Sequence, residues 1–274
     1  MSLHISREAW LASISGDHTG KTVHTYRDHT ARFLRWWDAH GQPDVSVKVM
    51  IAYRTERNAV VKPVTTESEL RTISSWFGWS VLMGSLPDNP CKALPTSPGA
   101  KLAPTVALSE ADVEKALAVA KSLHVYGIVL TAIYSGLRKS ELLQLTGKDI
   151  DLEHGVLWVR HEPDNGQATK SKKTRSVPLH PKVREWVETK KTDSVLFPLS
   201  GDQATRKMYE IQKLAELPHF TWKTCRHTFG SRLAQAGVNL GKIQSWMGHN
   251  SITTTMRYVH LVDGQYDDDV AKAL

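Results

Sequence analysis

The sequence lacks the features of a disulfide-stabilised, metal-binding or membrane protein. Its 274 residues include only two cysteines, Cys91 and Cys225, too few for a disulfide framework or a cysteine-rich zinc site. The 13 histidines are scattered, without the close ligand pairs of zinc enzymes. No apolar run approaches the ~20 residues of a membrane helix, and no basic stretch precedes an apolar run as in a signal peptide. We therefore expect a cytoplasmic protein that needs no metal or other cofactor.

The charge of the chain favours an anionic partner. The formal net charge is +7, and apolar residues make up 41% of the sequence. This composition is typical of an ordinary folded protein. A basic excess favours polyanions such as nucleic acid, although many proteins are mildly basic for no functional reason. The charge therefore permits a DNA-binding function without identifying one.

A proline-rich stretch divides the chain near residue 100. The segment 94–104 contains three prolines and one glycine, which resist both helix and sheet formation. We predict an N-terminal domain of residues 1–95, a linker of residues 96–104 and a C-terminal domain of residues 105–274. The last of these ends in an acidic tail.

The N-terminal part has the periodicity of helices. Tyr26, Phe33 and Trp37 recur at spacings of seven and four, which places them on one helical face, and Thr22 is a candidate N-cap. A second helix is predicted for residues 46–57. A further helix, beginning near Thr65, carries four apolar residues inward: Leu70, Ile73, Phe77 and Val81. Four short helices would form a small bundle, in which the tryptophans serve as core.

The C-terminal part mixes helices with short strands. Val125–Tyr134 suits a buried helix that Gly136 ends, and another helix is predicted for Pro181–Lys190. Val156–Val159 and Thr174–Val177 are β candidates on either side of a polar loop. The predicted fold class is therefore mainly α with a small antiparallel β-sheet (α+β).

Three residues suggest chemistry on a phosphodiester. Arg138 and Arg226 could each hold two phosphate oxygens, because a guanidinium presents a fixed fork of donors. A phenol has a pKa near ~10, and nearby cations favour its phenolate, so the same arginines could activate Tyr258 for attack. Taken alone, each arginine fits an ordinary protein surface as well as it fits a phosphate site. Tyr258 is also typical of a half-buried position, at the edge of an inward stripe formed by Ile252, Met256 and Val259.

Three sequence motifs give these residues a context. Arg138 lies in Ser-Gly-Leu-Arg-Lys-Ser-Glu-Leu, Arg226 in Arg-His-Thr-Phe, and Tyr258 in Met-Gly-His-Asn-Ser-Ile-Thr-Thr-Thr-Met-Arg-Tyr-Val-His. In this order, the motifs closely resemble those of the tyrosine recombinases, which include phage integrases and Xer-type recombinases. The resemblance covers about residues 104–261. It implies that Arg138 and Arg226 bind the scissile phosphate, that Tyr258 is the nucleophile and that His249 donates a hydrogen bond to the phosphate.

The resemblance also implies a general acid in the polar loop. In the family, a β-hairpin lysine protonates the leaving 5′ oxygen and lies eight residues before a closing proline. Pro178 then selects Lys170, with Lys172 as the alternative. The other basic residues of this loop, Lys172, Lys173 and Arg175, are expected to contact DNA.

One position departs from the family pattern. Three residues before Arg226 the family commonly has histidine, whereas this chain has Lys223. We expect a functional substitution, in which the lysine donates hydrogen bonds to the phosphate and adds positive charge. His227 is predicted to be structural, and Glu141 to orient basic side chains.

The function implied by the resemblance is site-specific recombination of double-stranded DNA through a 3′-phosphotyrosyl intermediate. The two domains would form a clamp around the duplex, with four protomers on synapsed DNA and a monomer in solution. Two alternatives remain open. A type IB topoisomerase uses the same chemistry but rejoins the same strand, and a DNA-binding regulator could have lost catalysis, for which Lys223 is the one hint in the motifs.

Overall fold

The computed structural model describes residues 2–95, 107–162, 173–190 and 193–261. The chain separates into two compact units, residues 1–103 and residues 104–274. The first is helical, and the second combines helices with one small sheet. A mainly α fold with a small antiparallel sheet was predicted and is confirmed. In the described part of the chain, no helix is long and apolar enough to cross a membrane.

The first unit is built from four helices. These are α1 (Leu3–Ile14), α2 (Gly20–Ala39), α3 (Val47–Val60) and α4 (Pro63–Leu82), followed by a 3₁₀ turn at Pro90–Ala93. Ser46 caps α3 through its side chain, as Ser commonly does. The cap of α2 is Thr19 rather than the predicted Thr22, so this helix starts earlier. The prediction of short helices was wrong for α2 and α4, which have 20 residues each.

Aromatic side chains form the core of the first unit. Phe33 is fully buried and meets Tyr53 edge to face, with ring centroids 5.2 Å apart, a favoured aromatic geometry. Trp76 is also fully buried, and Trp36 and Trp79 pack against this core. The prediction that the tryptophans serve as core is confirmed for these residues.

The second unit surrounds a small sheet with helices. The helices are α5 (Glu110–Ser122), α6 (Tyr126–Ser135), α7 (Lys139–Gln144), α8 (Pro181–Glu188), α9 (Gly201–Leu214), α10 (Trp222–Gln235), α11 (Leu240–Met247) and α12 (Ile252–Thr255). The strands β1 (Ile150–Asp151), β2 (Val156–Val159) and β3 (Arg175–Pro178) form an antiparallel sheet in that order. Val156 pairs with Pro178 and Val159 with Arg175. Both predicted strands are therefore present, with β3 beginning one residue later.

Two glycines determine how α6 packs and where it ends. Gly127 allows close packing against Trp186, and Gly136 ends the helix next to the site. A Cβ on Gly127 would lie 2.0 Å from Cζ2 of Trp186, so only glycine fits against that ring. Gly136 ends α6 with φ +63°, a conformation that favours glycine. The chain then enters α7 three residues later, and this turn sets the position of Arg138, the N-cap of α7.

The segment carrying Tyr258 differs from the predicted amphipathic helix. α12 ends at Thr255 and continues as a 3₁₀ segment, Met256–Leu261. Ile252 and Met256 are exposed, whereas Tyr258 is 1% exposed. The predicted inward stripe was wrong for Ile252 and Met256. The 3₁₀ segment has about three residues per turn instead of 3.6, which changes the face on which Tyr258 lies.

Candidate active site

Three arginines converge on the C-terminal end of α11. Arg175, Arg226 and Arg138 each donate a hydrogen bond to one of the consecutive backbone carbonyls of residues 246–248. The last carbonyls of a helix have no partner within the helix and carry the negative end of its dipole. They therefore suit cations. The distance is 2.8 Å from Arg175 Nε to the Trp246 carbonyl and 2.7 Å from Arg138 Nη2 to the Gly248 carbonyl.

Glu141 joins two of these arginines. Its side chain is buried and accepts from Arg138 Nη1 at 2.9 Å and from Arg175 Nη2 at 2.8 Å. It also accepts from the backbone N–H of Arg138, the N-cap residue of α7. Burial raises the pKa of Glu141, but hydrogen bonds and charge from Arg175 and Arg138 outweigh it and leave the pKa below its usual value. Glu141 therefore orients basic side chains, as predicted.

Arg226 is the most enclosed of the phosphate-binding candidates. Thr221 caps α10, which places Arg226 in the second turn, where it is 8% exposed. Its Nη1 donates to the Gly136 carbonyl at 2.6 Å, and its Nη2 donates to the carbonyl of Met247. Burial, followed by the charge of Arg138, lowers the pKa of Arg226 to about 9. The guanidinium thus remains cationic at neutral pH.

Arg175, which was predicted to contact DNA, is about as enclosed as Arg226. It begins β3, and its guanidinium is almost fully enclosed by Glu141 and the carbonyl of Trp246. Contact between Arg175 and DNA therefore stays a prediction. Strand pairing with Val159 turns the side chain inward, where a buried carboxylate offsets its charge.

Tyr258 lies against α10. Its hydroxyl is 2.9 Å from Nδ1 of His227, and its ring covers Gly230, where an added Cβ would lie 2.6 Å from Tyr258 Cζ. Burial raises the pKa of Tyr258, and the charges of Arg226 and Arg257 offset only part of that effect. Cations thus favour the phenolate, as expected, but desolvation of the phenolate is the larger effect and leaves the pKa of Tyr258 above its ordinary value.

His249 follows α11 directly. Its Nδ1 is 2.8 Å from Oγ1 of Thr255, and its carbonyl accepts from Gln244 Nε2 at 3.1 Å. Burial, and then the charges of Arg226 and Arg138, lower the pKa of His249 to about 3. The ring is thus neutral at neutral pH. With Nδ1 directed at Thr255, Nε2 is the nitrogen that can contact a phosphate.

A pocket of about 320 Å³ adjoins these residues. It is lined by Arg175 and the residues just before β3, by α11 and by the turn after α11, among them Lys173, Gln244, Ser245, His249 and Asn250. Lys223 is exposed in the first turn of α10. Lys170 and Lys172, the two candidates for the general acid, lie outside the described residues. Within those residues, no cluster of acidic, histidine or cysteine side chains could hold a metal ion.

His227 makes a contact in the site that the sequence analysis did not predict. We predicted a structural histidine, but its ring contacts the hydroxyl of the candidate nucleophile. A signal was available in the sequence. Positions 227 and 230 are one turn apart on a helix, so a histidine and a glycine there can line one face against a large side chain. The sequence does not show which side chain packs on that face, because this depends on the tertiary structure.

The family follows from comparison with known proteins. The model of the phage integrase family matches residues 107–265, more than half of the chain. The chain belongs to this family. The matched region contains α5–α12, the sheet and the three arginines of the site.

Similar proteins extend the match to both units. The tyrosine recombinase XerD of Pseudomonas aeruginosa is 28% identical over 291 residues, covering 94% of this chain and 92% of that protein. XerC of Pelobacter propionicus is 26% identical, covering 82% and 78%. XerA of Saccharolobus solfataricus is 32% identical over 171 residues, covering 61% of this chain but only 56% of that protein.

Solved structures share the fold. A Tn1549 transposon integrase in complex with transposon right end DNA superposes with a TM-score of 0.75 at 20% identity, covering 94% of each chain. A lambda integrase dimer bound to a COC′ core site gives a TM-score of 0.73 at 19% identity, covering 93% of this chain and 97% of that one.

Proposed function

We propose that this protein is a site-specific DNA recombinase that cleaves and rejoins DNA through a 3′-phosphotyrosyl bond. The observation that carries the proposal is the placement of Arg138 and Arg226 on the adjacent carbonyls of residues 247 and 248. Two guanidinium groups side by side fit one phosphodiester, whose charge they neutralise. Tyr258 supplies a nucleophile beside α10, the helix that carries Arg226. Membership of the phage integrase family supports this assignment.

The proposed reaction has two transfers. Tyr258 attacks phosphorus while Arg138, Arg226 and His249 hold the non-bridging oxygens. The P–O5′ bond breaks, and the 5′ oxygen takes a proton from Lys170 or, in the other alignment, from Lys172. A 5′ hydroxyl of a partner strand then attacks the phosphotyrosine. Bond energy is retained in the covalent link, so the strand can be rejoined without ATP.

The resting site imposes a condition on this reaction. Both arginines already donate to backbone carbonyls, and Tyr258 is 1% exposed. A phosphate must therefore compete for guanidinium donors, and the phenol must reach it from a buried position. The negative phosphate makes the exchange favourable, because hydrogen bonds between charged partners are roughly twice as strong as neutral ones.

The test is covalent capture of DNA. The protein is incubated with a pool of nicked duplexes of randomised sequence, and DNA that stays attached on a denaturing gel is sequenced. We expect the wild type to select one half-site and Tyr258→Phe to capture nothing while still binding the selected duplex. An adduct that persists in Tyr258→Phe would show that another residue is the nucleophile. No adduct in the wild type would favour a regulator without catalysis.

Recombination rather than DNA relaxation is the preferred outcome. The similar proteins are named tyrosine recombinases and integrases, which favours exchange between two duplexes. We propose that four protomers assemble on synapsed DNA in the cytoplasm. Relaxation of a plasmid that lacks the selected site would instead indicate topoisomerase activity.

The acidic tail offers a test of assembly. Residues 264–274 lie outside the described residues and would dock on a neighbouring protomer. Deleting them should preserve binding to a half-site but weaken cooperative binding to the full site and impair recombination. Gel-shift titrations on both sites measure this. Unchanged cooperativity would show that the tail does not dock on a neighbouring protomer and is only a solvated acidic segment.

A further inference from the structure

His227 is the side chain that contacts the reactive atom of Tyr258. Its Nδ1 lies 2.9 Å from the phenolic oxygen, and the two rings are tilted by 62° with centroids 6.2 Å apart. Gly230, one turn later on α10, lies under the tyrosine ring and lets it approach the helix backbone. His227 and Gly230 thus hold the tyrosine ring against α10.

The geometry of the site creates a need for a proton acceptor. Tyr258 is buried, and the charges of Arg226 and Arg257 do not compensate for the loss of solvent around a phenolate. A protonated phenol is a poor nucleophile, so its proton must leave as the bond to phosphorus forms. Lys223 is exposed and carries an ammonium group, which donates hydrogen bonds and accepts none.

We propose that Nδ1 of His227 accepts the phenolic proton of Tyr258 as the tyrosine attacks the phosphodiester. The proposal rests on the proposed function, because it takes Tyr258 as the nucleophile. The O–H bond breaks and an N–H bond forms at Nδ1, while the phenolic oxygen bonds to phosphorus. The P–O5′ bond breaks, and its electron pair stays on the 5′ oxygen, which takes a proton from the general acid, Lys170 or Lys172. During rejoining, the general acid takes back a proton from the attacking 5′ hydroxyl, and His227 returns its proton to the phenolic oxygen.

The surroundings of His227 keep the ring in the state that can accept a proton. Burial, and then the charges of Arg257, Lys223 and Arg226, lower its pKa to about 4. The ring is therefore neutral at pH 7, and accepting at Nδ1 requires the tautomer that is protonated at Nε2. A bound phosphodiester would raise this pKa, because its negative charge favours the imidazolium. The charged and titratable groups around the ring are Arg257 and Tyr258 of the 3₁₀ segment, Lys223 and Arg226 of α10, and His249 after α11.

The experiment uses full-length protein and the captured half-site with a 5′-bridging phosphorothiolate. This leaving group needs no protonation, so formation of the covalent adduct reports on attack by Tyr258. Single-turnover rates are measured from about pH 6 to about pH 9 for the wild type, His227→Ala and His227→Asn. Asparagine places an acceptor near the position of Nδ1 but cannot take up a proton. His154→Ala, at an exposed histidine in the turn between β1 and β2, is the control.

We expect the wild type and His154→Ala to give a level pH profile. His227→Ala and His227→Asn should cleave at least ~10²-fold more slowly at pH 7. Their rates should rise about tenfold per pH unit, because the phenol must then lose its proton to solvent before attack. Free imidazole should restore part of the activity of His227→Ala.

Three results would overturn the proposal. Wild-type rates in His227→Asn would show that hydrogen bonding alone suffices, and a pH-independent loss in both variants would indicate a purely structural role. A faster rate in His227→Ala would show that the hydrogen bond restrains Tyr258 instead of activating it. The absence of a Tyr258-dependent adduct in the wild type would refute the proposed function itself.

Discussion

Replacing Gly230 by alanine tests how closely Tyr258 is held against α10. Gly230 lies inside α10, and an added Cβ would lie 2.6 Å from Cζ and 2.8 Å from Cε2 of Tyr258. It would also lie 2.9 Å from Sδ of Met247. Carbon atoms pack at about 3.5–4.0 Å, so the ring must retreat by roughly 1 Å. The hydroxyl would then move away from Nδ1 of His227.

The expected effects on stability and on catalysis differ in size. Alanine gains about 1 kcal/mol over glycine inside a helix, whereas overpacking costs about 1–3 kcal/mol. We expect a net loss of at most ~2 kcal/mol in the free energy of unfolding, which leaves the protein folded. A displacement of about 1 Å in a reacting group can cost ~10²-fold in rate. Cleavage by Gly230→Ala should therefore fall about 100-fold.

Gly78→Ala provides the matched control. Gly78 lies inside α4, where an added Cβ would meet only Nδ2 of Asn89 at 3.6 Å, an ordinary contact. This variant should gain up to ~1 kcal/mol in stability and cleave like the wild type. Denaturant unfolding and single-turnover cleavage of the captured half-site measure both quantities. If Gly230→Ala were as stable and as active as Gly78→Ala, the close packing of Tyr258 on α10 would be refuted.

Three further predictions concern proton transfer and charge. A 5′-bridging phosphorothiolate should rescue cleavage by Lys170→Ala but not by a variant of a phosphate-binding arginine, and rescue of Lys172→Ala instead would shift the loop alignment by two residues. Glu141→Gln should lower the free energy of unfolding by about 3–5 kcal/mol, because it breaks buried ion pairs with arginines, and a loss below ~1 kcal/mol in denaturant titrations would contradict this. His227 and His249 have folded pKa values of about 4 and about 3, below the ordinary 6.5, so the unfolded state binds more protons at mildly acidic pH. Their stabilisation is complete above about pH 6.5 and declines as the pH falls, by about 2 kcal/mol in total between pH 7 and pH 5 after allowance for partial solvent screening. The double variant His227→Gln/His249→Gln should show a correspondingly smaller change between these pH values.

Local sequence signals predicted much of the fold. Ser46 and Asn239 cap their helices, and Gly136 and Gly248 adopt positive φ where helices end, as their residue types indicate. These features depend on the chemistry of a few neighbouring residues. The turn of the chain into a 3₁₀ segment after Thr255 carried no comparable signal, so the face presented by Tyr258 was predicted incorrectly.

The site was predictable in its residue types but not in its internal contacts. The motifs identified Arg138 and Arg226 without any knowledge of the fold. The sequence did not indicate that Arg175, one of the basic residues expected to contact DNA, pairs with Glu141, which is 34 residues away in the sequence. A pairing of that separation depends on how β3 packs beside α7 and α11, which a single sequence does not reveal.

The balance of charge in the site favours the transition state over the bound substrate. Three guanidinium groups and one carboxylate, Glu141, leave two net positive charges around the end of α11. A phosphodiester carries one negative charge, and attack at phosphorus places a further charge on its non-bridging oxygens. Glu141 and the α11 carbonyls hold the arginines near the end of α11 before DNA arrives, and the phosphate then competes with those carbonyls for the guanidinium donors. A site whose positive charge exceeds that of the ground-state phosphate binds the transition state more tightly, and only such differential binding accelerates the chemical step.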